Sequence, residues 1–500
     1  MTGVPLLDPE IPLPPDFPNR MLTHMFASPI ETDIAPSGTL LGLLQRGRGD
    51  GWLHALAAPR PDAVAALNHC VLRDPRPDWQ LEHRSLYYAR LYRELDAPLD
   101  AIGEHLFDPV DALEECEQRT GLALSVLGHL VTAGRQDALA LLRRYAVTGA
   151  NWRWALDELA VREDDAGLRE LGPAILARFP GTEAGERALI EAVRDSFEPR
   201  PWHLWAEDPA RSGQRERLAR ALEIGDFDRW QRQLRPPTPQ PGWSVRAVLD
   251  WAREGYEQTP RQWREAAAAR CLGAVAGPGD REVLLRAAVE GPSPVVRAAA
   301  LRHLAERGDP AVFELIQRAA EEPDEELAQA AVTAYARMND DGALRQARGW
   351  LERTDELGRT AAVMLARRGS APDAPGVLAA LRRVVRTRGT DAKELRALVE
   401  GSARLAIGPA VPVLRHIYRQ TISSQLRGHT ARALAVTDPT FASGFAVECL
   451  WDCEEETREV AAHHAATADA RVLDRLRSLA ADPAEQEGVQ TAVRGRLAPS

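Results

Sequence analysis

The chain has 500 residues, a formal net charge of −11 and an apolar fraction of 45%. A single globular core does not grow to this length, so several domains or an array of repeats must share it. The acidic balance argues against a chain devoted wholly to nucleic acid or to an anionic membrane surface. Lys393 is the only lysine among 62 Lys and Arg residues, which we attribute to the codon bias of a GC-rich genome.

The cysteines and the apolar runs indicate in which cellular compartment the protein is expected. The five cysteines are scattered, and their odd number is typical of reduced thiols and not of a disulfide framework. No apolar run approaches the roughly 18 residues of a membrane span, and the amino terminus lacks a secretion signal. We therefore expect a soluble cytoplasmic protein.

The N-terminal half shows a weak helical repeat. Residues 1–38 contain eight prolines and no helical period, which predicts an extended arm or a disordered tail. From residue 39 the pattern becomes helical, and Arg84, Arg119 and Arg153 recur at spacings of 35 and 34 residues. Apolar residues follow each arginine three and seven positions later, on one helical face. Residues 39–234 are therefore predicted to form degenerate helical repeats.

A proline-rich run then interrupts the pattern. Residues 235–242 carry four prolines, which impose extended backbone. We place a linker and a domain boundary there, with a second array in residues 243–500.

The second array repeats one pattern with greater regularity. The segments 294–309, 326–340 and 356–370 each contain an Ala-rich helical stretch followed by Gly, Asn or Asp. Self-similarity at about 30 residues is the signature of a helical solenoid. Its anchor positions lie 30 to 38 residues apart, at Arg264, Arg297, Ala328, Gly358, Arg396, Arg427 and Arg458. We predict an all-α fold, an α-solenoid of helix–turn–helix repeats.

The motif of this array resembles a known family. Val296-Arg297 at the start of an Ala-rich helix, followed by Gly308-Asp309-Pro310 and a second helix, resembles the short HEAT-like repeats of the phycobilisome-lyase type. The resemblance covers residues 260–480 well and 80–195 loosely. It implies an α-solenoid but no particular activity, because these relatives include scaffolds, chaperone-like factors, bilin lyases and metalloenzymes. The His-Glu pairs with which the relatives resembling deoxyhypusine hydroxylase hold iron do not occur in this chain.

A zinc site is one interpretation of the C-terminal cysteines. Cys449 and Cys453 lie one helical turn apart, with His463 and His464 downstream. The alternative is that both thiols pack as small apolar side chains. Because the spacing is unlike a zinc ribbon, we favour packing and predict no metal, no cofactor and no catalytic residue.

Tryptophans gather near the predicted linker. Of the twelve in the chain, six lie between residues 202 and 263. Such rings collect where two elements meet or where a ligand inserts. We therefore expect Trp202, Trp205 and Trp243 either to join the two arrays or to line a junction pocket.

Positive charge is concentrated in one segment. Residues 381–432 contain eleven Lys and Arg against three acidic residues. Second helices usually line the concave face of HEAT arrays, so five of these arginines are expected to share that face and bind a partner. They are Arg382, Arg383, Arg386, Arg415 and Arg419. The alternative is a solvated face balanced by acidic segments elsewhere.

These features favour a non-catalytic scaffold that binds an acidic segment of a protein partner on the concave solenoid surface. The alternative is a nucleic-acid-binding protein resembling the HEAT-like alkylpurine DNA glycosylases, against which the overall acidity counts. A small-molecule enzyme at the tryptophan-rich junction is a third interpretation. No nucleophile–base spacing or phosphate loop in the sequence supports it.

Overall fold

The computed structural model of the chain describes residues 34–75, 84–112, 117–208, 212–232, 243–254 and 261–498. These residues form 28 α-helices and contain no β-strand. The predicted all-α solenoid is confirmed. Residues 1–33 of the predicted arm and the predicted linker at 235–242 lie outside the described residues, so the domain boundary stays a prediction.

The first twelve helices form the N-terminal array. In chain order they are α1 (Leu40–Gln45), α2 (Gly49–Ala57), α3 (Arg60–Leu72), α4 (Arg84–Glu94), α5 (Asp100–Leu106), α6 (Glu117–Thr132), α7 (Gln136–Thr148), α8 (Trp152–Arg162), α9 (Asp165–Leu176), α10 (Glu183–Asp195), α11 (Arg200–Ala206) and α12 (Ser212–Arg232).

The other sixteen helices form the C-terminal array, which starts with α13 (Val245–Arg253). The first helices of its repeats are α14 (Arg261–Val275), α16 (Pro294–Glu306), α18 (Glu325–Arg337), α20 (Glu356–Arg368), α22 (Leu395–Arg404), α24 (Ser424–Thr437), α26 (Glu455–His464) and α28 (Glu487–Leu497). The second helices are α15 (Arg281–Glu290), α17 (Val312–Ala320), α19 (Asp341–Trp350), α21 (Ala374–Arg388), α23 (Val411–Gln420), α25 (Phe445–Cys449) and α27 (Ala470–Ala481).

The first helices begin where the sequence predicts. Each of the seven anchors lies among the first four residues of its helix. Many of these helices are started by a short polar side chain that accepts a backbone N–H of the first turn, as Ser293, Asp324, Asp355 and Ser423 do. Such a cap satisfies a donor that the helix itself cannot pair, so it sets the start of the helix.

The two kinds of helix form two rows with different spacing. First helices of consecutive repeats pack side by side over buried alanines such as Ala300, Ala331 and Ala361, whereas consecutive second helices are farther apart. We call the second helices of the C-terminal array the second-helix row. Which of the two rows lines the concave face stays a prediction. Small side chains allow close approach, and they occur in the first helices.

Two apolar cores follow the two arrays. The first contains buried residues between Leu44 and Ala221 together with Cys453, and the second contains buried residues between Val245 and Val493. Cys453 belongs to the first core because the beginning of the N-terminal array contacts a late repeat of the C-terminal array. Helix α2 packs on α25, and the Cys453 backbone N–H donates to the Gly47 carbonyl at 2.9 Å. We call this region, residues 46–50 against 419–420 and 448–453, the end contact.

Candidate functional site

Three anchor arginines tie their first helix to the loop that precedes the next one; they are Arg297, Arg427 and Arg458. Arg427 makes two hydrogen bonds to Asp452, from Nε at 2.7 Å and from Nη2 at 3.0 Å, and both side chains are fully buried. Arg458 binds Glu485 in the same paired way, at 3.1 and 2.6 Å. Because a planar guanidinium matches a carboxylate in two bonds, each tie fixes the orientation of one repeat on the next.

A second set of ties joins the second-helix row to the turn of the following repeat. Arg348 binds Asp373 at 2.8 and 3.0 Å, and Arg415 binds Asp438 at 2.8 Å. Arg382 occupies the corresponding position of the helix between them, and it donates to the Pro409 carbonyl at 3.0 Å. Two of the five predicted partner-binding arginines, Arg382 and Arg415, therefore hold neighbouring repeats together.

The other three predicted arginines differ in their exposure. Arg383 is half-buried and donates to the Leu351 carbonyl of the preceding repeat at 3.1 Å. Arg386 and Arg419 are exposed, each one helical turn beyond a tie on consecutive second helices. The Arg419 guanidinium lies 5.1 Å from the centre of the Phe445 ring. On the second-helix row, Arg386 and Arg419 thus present exposed side chains beyond the ties.

The structure does not bring the three junction tryptophans into one pocket. Trp202 and Trp205 are buried in the first core with their rings 5.1 Å apart, and Trp205 Nε1 donates to the Leu168 carbonyl at 2.7 Å. Trp243 packs instead on the second core, 6.4 Å from Trp251. The sequence places these rings close together in the chain, but the two arrays take them into different cores.

The C-terminal cysteines are packed in the interior. Cys449 Sγ lies 3.0 Å from the Tyr418 hydroxyl, and Cys453 Sγ accepts a hydrogen bond from Arg427 at 3.4 Å. His463 and His464 are exposed at the far end of α26. Within the described part of the chain, no group of three or more His, Cys, Asp and Glu side chains is arranged to hold a metal.

The end contact was missed by the sequence reasoning. Arg48 is buried there, 2.6 Å from Asp50 and 3.4 Å from Glu448, and it donates to the Arg419 carbonyl at 3.0 Å. Burial, together with the negative charge of Asp50, raises the pKa of Glu448 to about 7. One arginine is therefore shared by two carboxylates that approach from opposite ends of the chain. No local sequence pattern around Asp50 or Glu448 indicates that the two residues share Arg48.

A second part of the same interface lies between α4 and the last repeats. Arg90 binds Asp482 at 2.7 Å, and Arg475 lies over the rings of Trp52 and Trp451. Burial lowers the pKa of Arg475 to about 9. The cavity enclosed here measures only about 10 Å³, roughly the space of one water molecule, so the interface closes the fold and does not hold a ligand.

The packing of paired helices defines the class of the protein as an α-solenoid of helical repeats. Residues 281–367 match the family model of HEAT repeats, which supports a HEAT-like repeat family for this array. A comparison with curated proteins finds no match to the chain. In the described ranges, no helix is both long and apolar enough to cross a membrane.

Proposed function

We propose that this protein is a non-catalytic scaffold that binds a protein partner on the surface of its solenoid. HEAT repeats are commonly protein-interaction scaffolds, and residues 281–367 match them. The arginine ties between repeats support this role, because they hold consecutive helices in fixed positions. A partner can then meet several side chains without first ordering them, which lowers the entropic cost of binding.

The observation that carries the proposal is the pair Arg386 and Arg419. Both are exposed and extend from consecutive second helices whose orientation is fixed by the ties of Arg382 and Arg415. Guanidinium groups make paired hydrogen bonds to carboxylates, so an acidic segment of the partner is the proposed ligand. The proposed contact face is the second-helix row, where Arg382, Arg383 and Arg415 bind neighbouring repeats beside the two exposed arginines.

The test compares two double charge reversals in the full chain. We expect wild-type protein to be retained on immobilised poly-glutamate at low salt, and R386E/R419E to pass through unretained. The matched control is R471E/R477E, which reverses two exposed arginines of another second helix, α27, and should leave retention unchanged. Equal loss of retention in both variants would show a non-specific charge effect and would refute the assignment of this face.

The same experiment separates the nucleic-acid alternative. If wild-type protein is retained on immobilised double-stranded DNA and not on poly-glutamate, the basic residues serve a phosphate backbone. Purification of the native complex, with R386E/R419E as the negative control, would then identify what the wild-type chain carries with it.

A further inference from the structure

The turn between α10 and α11 presents a phenylalanine to solvent. Phe197 is 83% exposed, yet the backbone behind it is held firmly. Asp157 of α8 accepts the N–H of Glu198 at 3.1 Å and also that of Phe197. Ser196 Oγ donates to the Glu198 carbonyl at 2.8 Å. These hydrogen bonds hold the turn in the conformation that exposes Phe197.

The far side of this turn is pinned as well. Arg200 Nη1 donates to the carbonyls of Ala160 and Glu163, at 2.7 and 3.0 Å, in the last turn of α8 and just after it. The turn is therefore fastened to α8 on both sides of Phe197. An anchor side chain on a fixed backbone loses little conformational entropy when a partner covers it.

Two further apolar side chains lie on the same helix as the carboxylate that holds the turn. Val161 is 59% exposed, one turn after Asp157, and the half-buried Trp154 lies one turn before it. Residues three, four and seven apart share one helix face, so Trp154, Asp157 and Val161 look in one direction. We call Trp154, Val161 and Phe197 the Phe197 strip.

The surroundings of the Phe197 strip are strongly acidic. Residues 157–165 and 191–200 together contain eight Asp and Glu against three Arg. Arg162 is paired with Glu158 at 2.6 Å and Arg194 with Asp195 at 3.0 Å. Arg200 also binds Asp165, and Arg143 of α7 binds Glu163 at 2.6 Å. The eight acidic residues still outnumber these four arginines, in contrast to the basic residues around Arg386 and Arg419.

We propose that the Phe197 strip is a docking surface for a basic peptide segment of a partner, with an apolar side chain that packs on Phe197 and Val161. A central aromatic residue with a charged rim is the usual anatomy of a protein-binding site, and the acidic rim selects Arg and Lys in the partner. This surface is independent of the one around Arg386 and Arg419, because it lies on the other array and selects the opposite charge.

The test uses labelled twelve-residue peptides and full-length protein. Fluorescence anisotropy would compare a peptide of alternating Leu and Arg with two controls, one of Ser and Arg and one of Leu and Glu. We expect the Leu/Arg peptide to bind, the Ser/Arg peptide to bind at least tenfold more weakly, and the Leu/Glu peptide not to bind. Equal binding of Leu/Arg and Ser/Arg would reduce the site to charge alone and overturn the proposal, as would no binding at all.

Matched variants locate the binding. F197A and V161A should each weaken the Leu/Arg peptide, F197A at least tenfold. V436A and L56A are the controls, since Val436 is also 59% exposed and Leu56 is a large exposed apolar residue on other surfaces. All four positions are exposed, so circular dichroism should show unchanged folds. Equal effects of V161A and V436A would refute the location.

Two further measurements test whether a second copy of the chain or the basic surface around Arg386 and Arg419 accounts for the binding. Sedimentation of wild type and F197A tests for a second copy of the chain on this surface. A dimer of the wild type that F197A dissociates would overturn the proposal of a separate partner. R386E/R419E should leave Leu/Arg binding unchanged. If that variant abolished it, the Phe197 strip would not be the site, whatever the outcome on poly-glutamate.

Discussion

The ties between repeats and the end contact use the same residue types in opposite electrostatic settings. In the second-helix ties, each aspartate meets its own arginine, and the hydrogen bonds from Arg281 and Arg348 lower the pKa values of Asp309 and Asp373. In the end contact, Asp50 and Glu448 share Arg48, and burial raises both pKa values. A one-to-one pair favours the charged carboxylate, whereas crowding in a buried site penalises it.

The difference follows from how each contact arises. The ion-pair ties repeat along the chain between residues 23 to 28 positions apart, so Arg281, Arg415 and Arg427 each have one acid in a fixed relation to them. The end contact instead joins residues that are 400 positions apart. Its members do not belong to one repeat, and two carboxylates, Asp50 and Glu448, share Arg48 there. Ion pairs between neighbouring repeats thus stabilise the array, whereas the stability of the end contact depends on the protonation of its carboxylates.

The largest expected effect is at the buried tie of Arg427. R427M leaves the buried carboxylate of Asp452 without its ion partner, which typically costs about 3–5 kcal/mol of unfolding free energy. Urea unfolding followed by circular dichroism would measure the loss. R281M, which breaks the more exposed tie to Asp309, should cost much less, and R427M/D452N should recover part of the loss. A similar cost for R281M and R427M would contradict the role of burial.

The next prediction concerns pH at the end contact. Glu448 has a folded-state pKa of about 7, above the usual value of 4.5, so folding favours its protonated form. Its contribution to stability is therefore greatest below about pH 4.5 and is lost as the pH rises to about 7. E448Q should be more stable than wild type at pH 8, by about 1–3 kcal/mol, and similar to it near pH 4.5.

A tie residue is the natural control for that pH dependence. The pKa of Asp309 is lowered by Arg281, so its stabilisation is present above the unfolded pKa and is lost as the pH falls. D309N should therefore lower the thermal midpoint at pH 8, the opposite sign to E448Q. If E448Q also lowers the midpoint at pH 8, the carboxylate at the end contact is an ordinary charged partner of Arg48.

A further effect is expected from the backbone of the end contact. Gly47 has φ of +65°, and a Cβ there would collide with Cys453 Sγ. G47A should therefore cost more than the roughly 1–2 kcal/mol of left-handed strain alone. G134A is the matched control, because Gly134 also has positive φ, of +87°, but open space around it. Hydrogen exchange in α1–α4 should rise in G47A and not in G134A. Equal exchange in both would show that Cys453 does not press on this turn.

Much of the C-terminal array could be predicted from the sequence because its signals are local. A helix start depends on a cap such as Ser293 or Asp324 and on apolar spacing within about four residues, and both can be read along the chain. The structural role of Arg427 also followed from its place in the repeat. Spacing along the chain also tells which helix carries each of the five basic arginines. We assigned them to one face because they lie on two consecutive second helices.

What a guanidinium binds is decided by the neighbouring repeat. Arg382 and Arg386 lie one turn apart on α21 and both are exposed, yet the first reaches the Pro409 carbonyl of the next turn. Likewise, the spacing of each row depends on the distance between consecutive helices, which no single repeat contains.

The sequence by itself determined the helices, their pairing into repeats and the residues that cap and tie them, because each depends on neighbours within about one repeat. Only the tertiary structure decided which neighbouring repeat Arg382 and Arg383 contact, that Phe197 is held outward by Asp157, and that Gly47 meets Cys453. These features join surfaces that are distant in the chain, and their energies arise only when packing brings both surfaces together.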